Sequence, residues 1–248
     1  MKTVSSIVSL VACAFSLNAQ IASTLNHLAG GLDEVWIQND SAVDLVTFVV
    51  TVGQEPRSST SSRAPFVVYS DPLVEPSAKP LLPGEKRKVM MMGVAQGIDL
   101  HGKRLLKEPI LTAGIFSDGT RTGDEALLRG LVLRRSNMLL AVETALEMLS
   151  NAGRANIPRD QLIERFKGMA DSLRRWYLPP EQQIGIRVYQ PIVGSLMSLP
   201  KGEAGSPFPP ASFVSQETAI LRQQRIALSE SEPNMVDAFL AGFPGLDQ

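Results

Sequence analysis

Cysteine is almost missing from this 248-residue chain: the one copy, Cys13, sits within the first twenty residues. A chain that loses those residues keeps no thiol, forms no intramolecular disulfide and must hold its fold by core packing. Histidine is nearly as scarce. His27 and His101 are the two imidazoles, which leaves few groups for acid–base chemistry near neutral pH. After the N-terminus no stretch is apolar for the roughly 18 residues that a spanning helix needs. No G-x-S-x-G elbow, phosphate-binding loop, calcium loop or zinc spacing occurs, and no internal repeat. An excess of one charge is also lacking: 24 Lys and Arg stand against 25 Asp and Glu, a net charge of −1. That balance argues against the basic face of a nucleic-acid binder. The basic groups Lys86-Arg87-Lys88, Lys103-Arg104, Arg134-Arg135 and Arg174-Arg175 are separated and interleaved with acids, the pattern of a solvated surface. Contact with a polyanion or a lipid headgroup is the functional alternative.

The N-terminus carries the most specific signal that is there. Lys2 gives a positive start, Ile7 to Leu17 an apolar run, and Leu17-Asn18-Ala19 a small-residue exit before Gln20, so residues 1–19 read as a signal peptide. The expected mature chain is extracytoplasmic, periplasmic or secreted. Leu10-Val11-Ala12-Cys13 resembles a bacterial lipobox, which makes a lipid anchor at Cys13 the alternative to cleavage after Ala19; only nine residues precede that box.

Residues 33–119 show short apolar runs between turn residues. Val35-Trp36-Ile37 leads into an Asn39-Asp40 turn, and Val43 to Val52 is apolar on both faces, as a central covered strand would be. Phe66 to Tyr69, Lys88 to Met92 and Ile110 to Phe116 follow as strands, with prolines at 76, 80 and 83 enforcing extended chain and a serine-rich loop at Arg57 to Arg63. This spacing predicts an immunoglobulin-like antiparallel β-sandwich in an α+β protein.

Residues 120–228 change period. Thr122 to Glu125 fits a capping box, and Leu128, Leu131, Met138, Val142, Ala145 and Leu149 predict a long amphipathic helix. Pro158 opens a second helix with a stripe of Leu162, Phe166, Met169 and Leu173, ending at Pro179-Pro180; the two predict a helical hairpin. Alternation of Ile184, Ile186 and Val188 predicts a strand over 183–190, Gly202 to Pro210 a linker or surface loop, and Ser215 the cap of a helix over Gln216 to Leu228.

Chemical motifs are few. His27 falls on a stretch where Ile21, Leu25 and Leu28 suit a brief amphipathic turn, and His101 lies in the loop Gly97 to Gly102. Ser198 and Lys201 share the S-x-x-K spacing of penicillin-binding proteins, but Pro200 intervenes and neither partner motif occurs. Met90-Met91-Met92 offers soft thioethers for Cu(I), yet strand neighbours point to opposite faces, so Met90 and Met92 can cooperate and Met91 cannot. Core filling is their common use. Asp118-Gly119-Thr120 has turn chemistry sufficient to explain it.

The tail, residues 229–248, places Met235, Val236, Phe239, Leu240 and Phe243 on one helical face, which must dock on the parent fold or capture a partner. No catalytic, metal or cofactor site is assigned. The reading is an exported non-enzymatic interaction or structural protein, with another envelope or secreted protein as partner and no nucleic acid. An extracytoplasmic hydrolase or a small-ligand or metal carrier is the alternative.

Overall fold

The computed structural model describes residues 21–55, 64–93, 105–199 and 209–231, and the chain is mixed α+β. It divides into two compact units. One holds the strands through Gly123; the other holds the helices from Asp124 onward together with Asp71–Lys79, a segment interrupting the strands.

In the strand unit, β1 (Ile21–His27), β2 (Asp33–Asn39) and β5 (Lys86–Met92) form one antiparallel sheet in the order β1-β2-β5. The other sheet, β4-β3-β6-β7, is built from β3 (Leu45–Gln54), β4 (Phe66–Ser70), β6 (Leu106–Phe116) and β7 (Arg121–Gly123). Both sheets contribute to one apolar cluster, with Val35 and Ile37 from β2, Phe48, Val50 and Val52 from β3, Met92 from β5 and Phe116 from β6. β3 is central between β4 and β6, and its long apolar run is the physical reason: Thr47 and Val49 are as fully buried as Val50 and Val52.

The β2–β3 turn hangs on one side chain. Buried Asn39 donates from Nδ2 to the carbonyls of Val43 and Leu81, each at 2.8 Å, and its Oδ1 accepts from the Ser41 amide and hydroxyl. Such full satisfaction is what lets a polar amide sit in a core.

Two strands were not expected from the pattern. The stretch around His27 is strand β1, not an amphipathic turn, and β7 follows a β6–β7 turn in which the Thr120 amide donates to Asp118 Oδ1 at 2.9 Å. Ile21 and Leu25 are buried there because a four-residue step is also two strand periods. Asp118-Gly119 therefore joins strand to strand.

The helical unit contains α1 (Glu125–Ala155), α2 (Arg159–Leu173), α3 (Ile186–Ser198) and α4 (Ala211–Ser231). α1 spans about 46 Å at 1.5 Å per residue. Its cap is Asp124, whose carboxylate accepts from the Leu127 amide at 3.0 Å, rather than Thr122 of the expected capping box, which lies in β7. It ends at Asn156, in the left-handed conformation that suits asparagine (φ 50°).

Three expectations for this half are corrected. The strand over 183–190 is a 3-10 turn leading into α3: Ile184, Val188, Ile192 and Leu196, four apart, are all buried, and this helical period overrides the shorter alternation. The first two helices are not the main pair of a hairpin; α1 packs chiefly with α4, and α2 with α3. Arg159 at the start of α2 donates to the carbonyls of Leu196 and Met197 at the end of α3, fixing that pair. Finally, α4 begins at Ala211, directly after Pro210, and not at a Ser215 cap.

Gly185 permits the close meeting of these helices. A Cβ there would lie 2.9 Å from Leu173 Cδ1 and 3.1 Å from Ala141 Cβ. The core then runs through Met138, Val142, Leu149, Leu162, Phe166 and Leu196.

Residues 71–79 complete this core. Val74 is fully buried within it. Asp71, also fully buried, binds the Arg135 guanidinium at 2.7 Å (Oδ2 to Nε) and 3.3 Å (Oδ1 to Nη2). Glu75 Oε1 meets Arg134 at 3.2 Å and Arg187 at 3.0 Å. The arginines Arg134-Arg135, expected on a solvated surface, are thus buried; the carboxylates that neutralise them come from far earlier in the chain.

Candidate interaction site

The residues singled out in the sequence do not converge. Cys13, His101, Lys201 and the tail residues Met235, Val236, Phe239, Leu240 and Phe243 lie outside the described residues, as do the signal peptide and the loop Arg57 to Arg63. Ser198 ends α3, exposed, with its hydroxyl donating to the Ser195 carbonyl at 2.7 Å. His27 Nδ1 lies 2.6 Å from Oδ1 of buried Asp33, across the β1–β2 pairing. On β5, Met92 is buried in the sheet core with Met90 against it, and Met91 is exposed, so the thioethers split between faces. Among the described residues, no group of three or more His, Cys, Asp or Glu side chains could hold a metal ion.

What the helical unit does display is an aromatic projection between α2 and α3. Trp176 is 92% exposed, the most exposed large apolar side chain among the described residues, and Tyr177 beside it is 56% exposed. Their rings meet edge to face with centroids 6.0 Å apart. Arg175 donates to the Tyr177 hydroxyl at 2.7 Å and lies over the Tyr177 ring, and this hydrogen bond holds the guanidinium pKa above its ordinary value.

Local chemistry explains why these rings are outside. The α2 stripe of Leu162, Phe166, Met169 and Leu173 would reach Trp176 at its next step if the helix continued. Pro179 sets the outer limit, because its ring clashes with the Arg175 carbonyl and pushes Leu178 out of helical geometry, and the helix closes earlier still, with the Arg174 amide donating to the Asp171 carbonyl at 3.2 Å. The helix stops at Leu173 and the chain turns, with the Leu178 amide donating to the Arg175 carbonyl at 3.0 Å. Gln183 Nε2 then donates to the Leu178 carbonyl, and Asn137 of α1 to that of Glu181. The base of the projection is therefore pinned while its tip stands free. Reading Pro179-Pro180 as a helix end hid this: the signal was an apolar stripe cut one step short of a tryptophan.

A weaker cluster sits on the β1-β2-β5 sheet. Glu34 accepts from Lys88 and from Trp36 Nε1, each at 3.0 Å, and Lys86 lies 5.8 Å from the Trp36 ring centre. The Lys88 bond, then that of Trp36, holds the Glu34 carboxyl below its usual range. These groups satisfy one another. A recess of about 240 Å³ between the end of α1 and the start of α4 is lined by Ala152, Gly153, Asn156, Pro209, Ala211, Val214 and Ser215, none of them an acid, base or thiol.

No family model, no curated protein and no solved structure matches this chain. No helix among the described residues is long and apolar enough to cross a membrane.

Proposed function

We propose that this is an exported, non-enzymatic interaction protein that binds its partner through the Arg175-Trp176-Tyr177 projection. The exposure of Trp176 carries the reading. Leaving an indole in water forgoes the burial of about 150–250 Å² that an aromatic side chain commonly gains. Trp and Tyr also join an apolar ring to a polar N–H or O–H, which suits a contact that is apolar at one end and wet at the other. For the strand unit we read an immunoglobulin-like sandwich. That reading is supported by the strand orders β1-β2-β5 and β4-β3-β6-β7, which match an A-B-E sheet facing a C′-C-F-G sheet, and by the shared core. Export rests on residues 1–19.

A photo-crosslinking residue at position 176 tests the site in cells. An adduct at 176, to protein or to lipid, absent from the same probe at exposed Gln190, supports the reading; no adduct of either kind at 176 overturns it. Intact-mass measurement of the mature chain tests export, with loss of the first 19 residues expected. An unprocessed, intracellular chain would refute that part.

A further inference from the structure

We propose that the partner of the projection is a lipid surface rich in anionic headgroups, an inference that rests on reading Trp176 and Tyr177 as a binding site. Shape gives the first argument. Protein hot spots lie at the centre of packed patches ringed by further contacts. Trp176 is instead 92% exposed on a turn where Ser172, Arg174, Arg175, Pro179, Pro180 and Gln182 are exposed as well, and among the described residues the ring recorded against it is that of Tyr177. A headgroup layer is soft and admits such a tip without a complementary pocket.

Composition gives the second. Trp and Tyr together are the side chains that settle at the membrane–water boundary, with an apolar ring and a polar N–H or O–H in one body. Charge gives the third. Arg174 is held by Asp171 at 3.1 Å, whereas Arg175 has the Tyr177 hydroxyl and ring as its contacts and, among the described residues, no carboxylate. Its charge is therefore available to a phosphate beside the seated rings. The pinned loop base means little ordering is needed on contact.

The test uses the purified mature chain, from Gln20 onward, with vesicles of mixed phosphatidylglycerol and phosphatidylcholine, and of phosphatidylcholine alone. Trp36→Phe leaves Trp176 as the only indole, since the chain has two tryptophans. Its emission should shift to the blue on addition of anionic vesicles, and the chain should float with them. Binding should fall at least tenfold in Trp176→Ala and about fivefold in Arg175→Gln, the share expected of one basic side chain near a charged surface. Trp176 is so exposed that its removal leaves the fold intact, which circular dichroism checks. Unchanged emission, flotation that survives Trp176→Ala, or equal binding to phosphatidylcholine alone overturns the lipid assignment. A protein adduct at position 176 in cells without vesicle binding overturns it too, while leaving the interaction reading in place.

Discussion

Neutralising Asp71 should destabilise the helical unit out of proportion to its place in a connection between two strands. The carboxylate is fully buried and Arg135 is 7% exposed, so Asp71→Asn removes the charge that balances a guanidinium where water cannot replace it. Asparagine keeps the shape and can still accept from the Leu73 amide, as Asp71 Oδ1 does at 3.1 Å, which confines the change to charge. Breaking a buried pair from one side costs about 3–5 kcal/mol. For a chain of this size that lowers the melting temperature by about 6–20 °C. Arg135→Met strands the carboxylate instead and should cost a similar amount. The double substitution removes both charges, so its cost should fall at least about 2 kcal/mol below the sum of the singles, the coupling expected of groups in direct contact. Arg187→Gln is an internal control: its side chain is 48% exposed, and such solvated pairs contribute about 1 kcal/mol or less. Urea unfolding followed by circular dichroism at the helix band reads all four. Single-variant costs below about 1 kcal/mol, or costs that add within about 0.5 kcal/mol, would refute the reasoning.

Other outcomes follow from local geometry. Asp124→Ala should cost about 1 kcal/mol in chemical denaturation through loss of the α1 cap, whereas Thr122→Ala, the rival cap, should not weaken the helix signal. Gly123→Ala should cost more than about 2 kcal/mol, because φ is 103° and the new Cβ would collide with the Thr112 carbonyl oxygen; an unchanged melting temperature would contradict this backbone conformation at the end of β7. Burial pushes the Tyr189 phenol above its ordinary pKa, outweighing a Thr144 hydrogen bond that lowers it. The native chain then holds this proton at pH values where the unfolded chain has released it, so the contribution is complete below about pH 10 and is lost as pH rises through the folded value. Absorbance titration near 295 nm should show a late phenol that Tyr189→Phe abolishes, leaving the signals of Tyr69 and Tyr177.

Strands with an unbroken or alternating apolar pattern were legible in the sequence. Val43 to Val52 announced β3, and the valine–methionine run announced β5. β1 was not legible, because Ile21 and Leu25 satisfy helix and strand periods equally. α3 was misread for a related reason: three alternating residues, Ile184, Ile186 and Val188, precede the longer spacing of Val188, Ile192 and Leu196 that decides the outcome. The partners of Arg134 and Arg135 could not be read at all, since Asp71 precedes Arg135 by 64 positions and charge pairing leaves no local period. The exposure of Trp176 was hidden by its neighbours, since only the position of the helix end turns it from a core residue into an exposed one.

The segment 71–79 also imposes a schedule. During synthesis it emerges well before Arg134 and Arg135, when β3 and β4 can already pair. Val74 must then wait in water, and Asp71 and Glu75 must wait solvated, until the first helix is made. Strand pairing can thus be far advanced while the helical core is still one piece short. Asp71 and Glu75 can leave solvent only once Arg135 and Arg134, some sixty residues later, have been made. A chain halted between Lys79 and Asp124 would present Val74 to its surroundings as an unclaimed apolar group, and a quality-control factor that reads such groups would find it there.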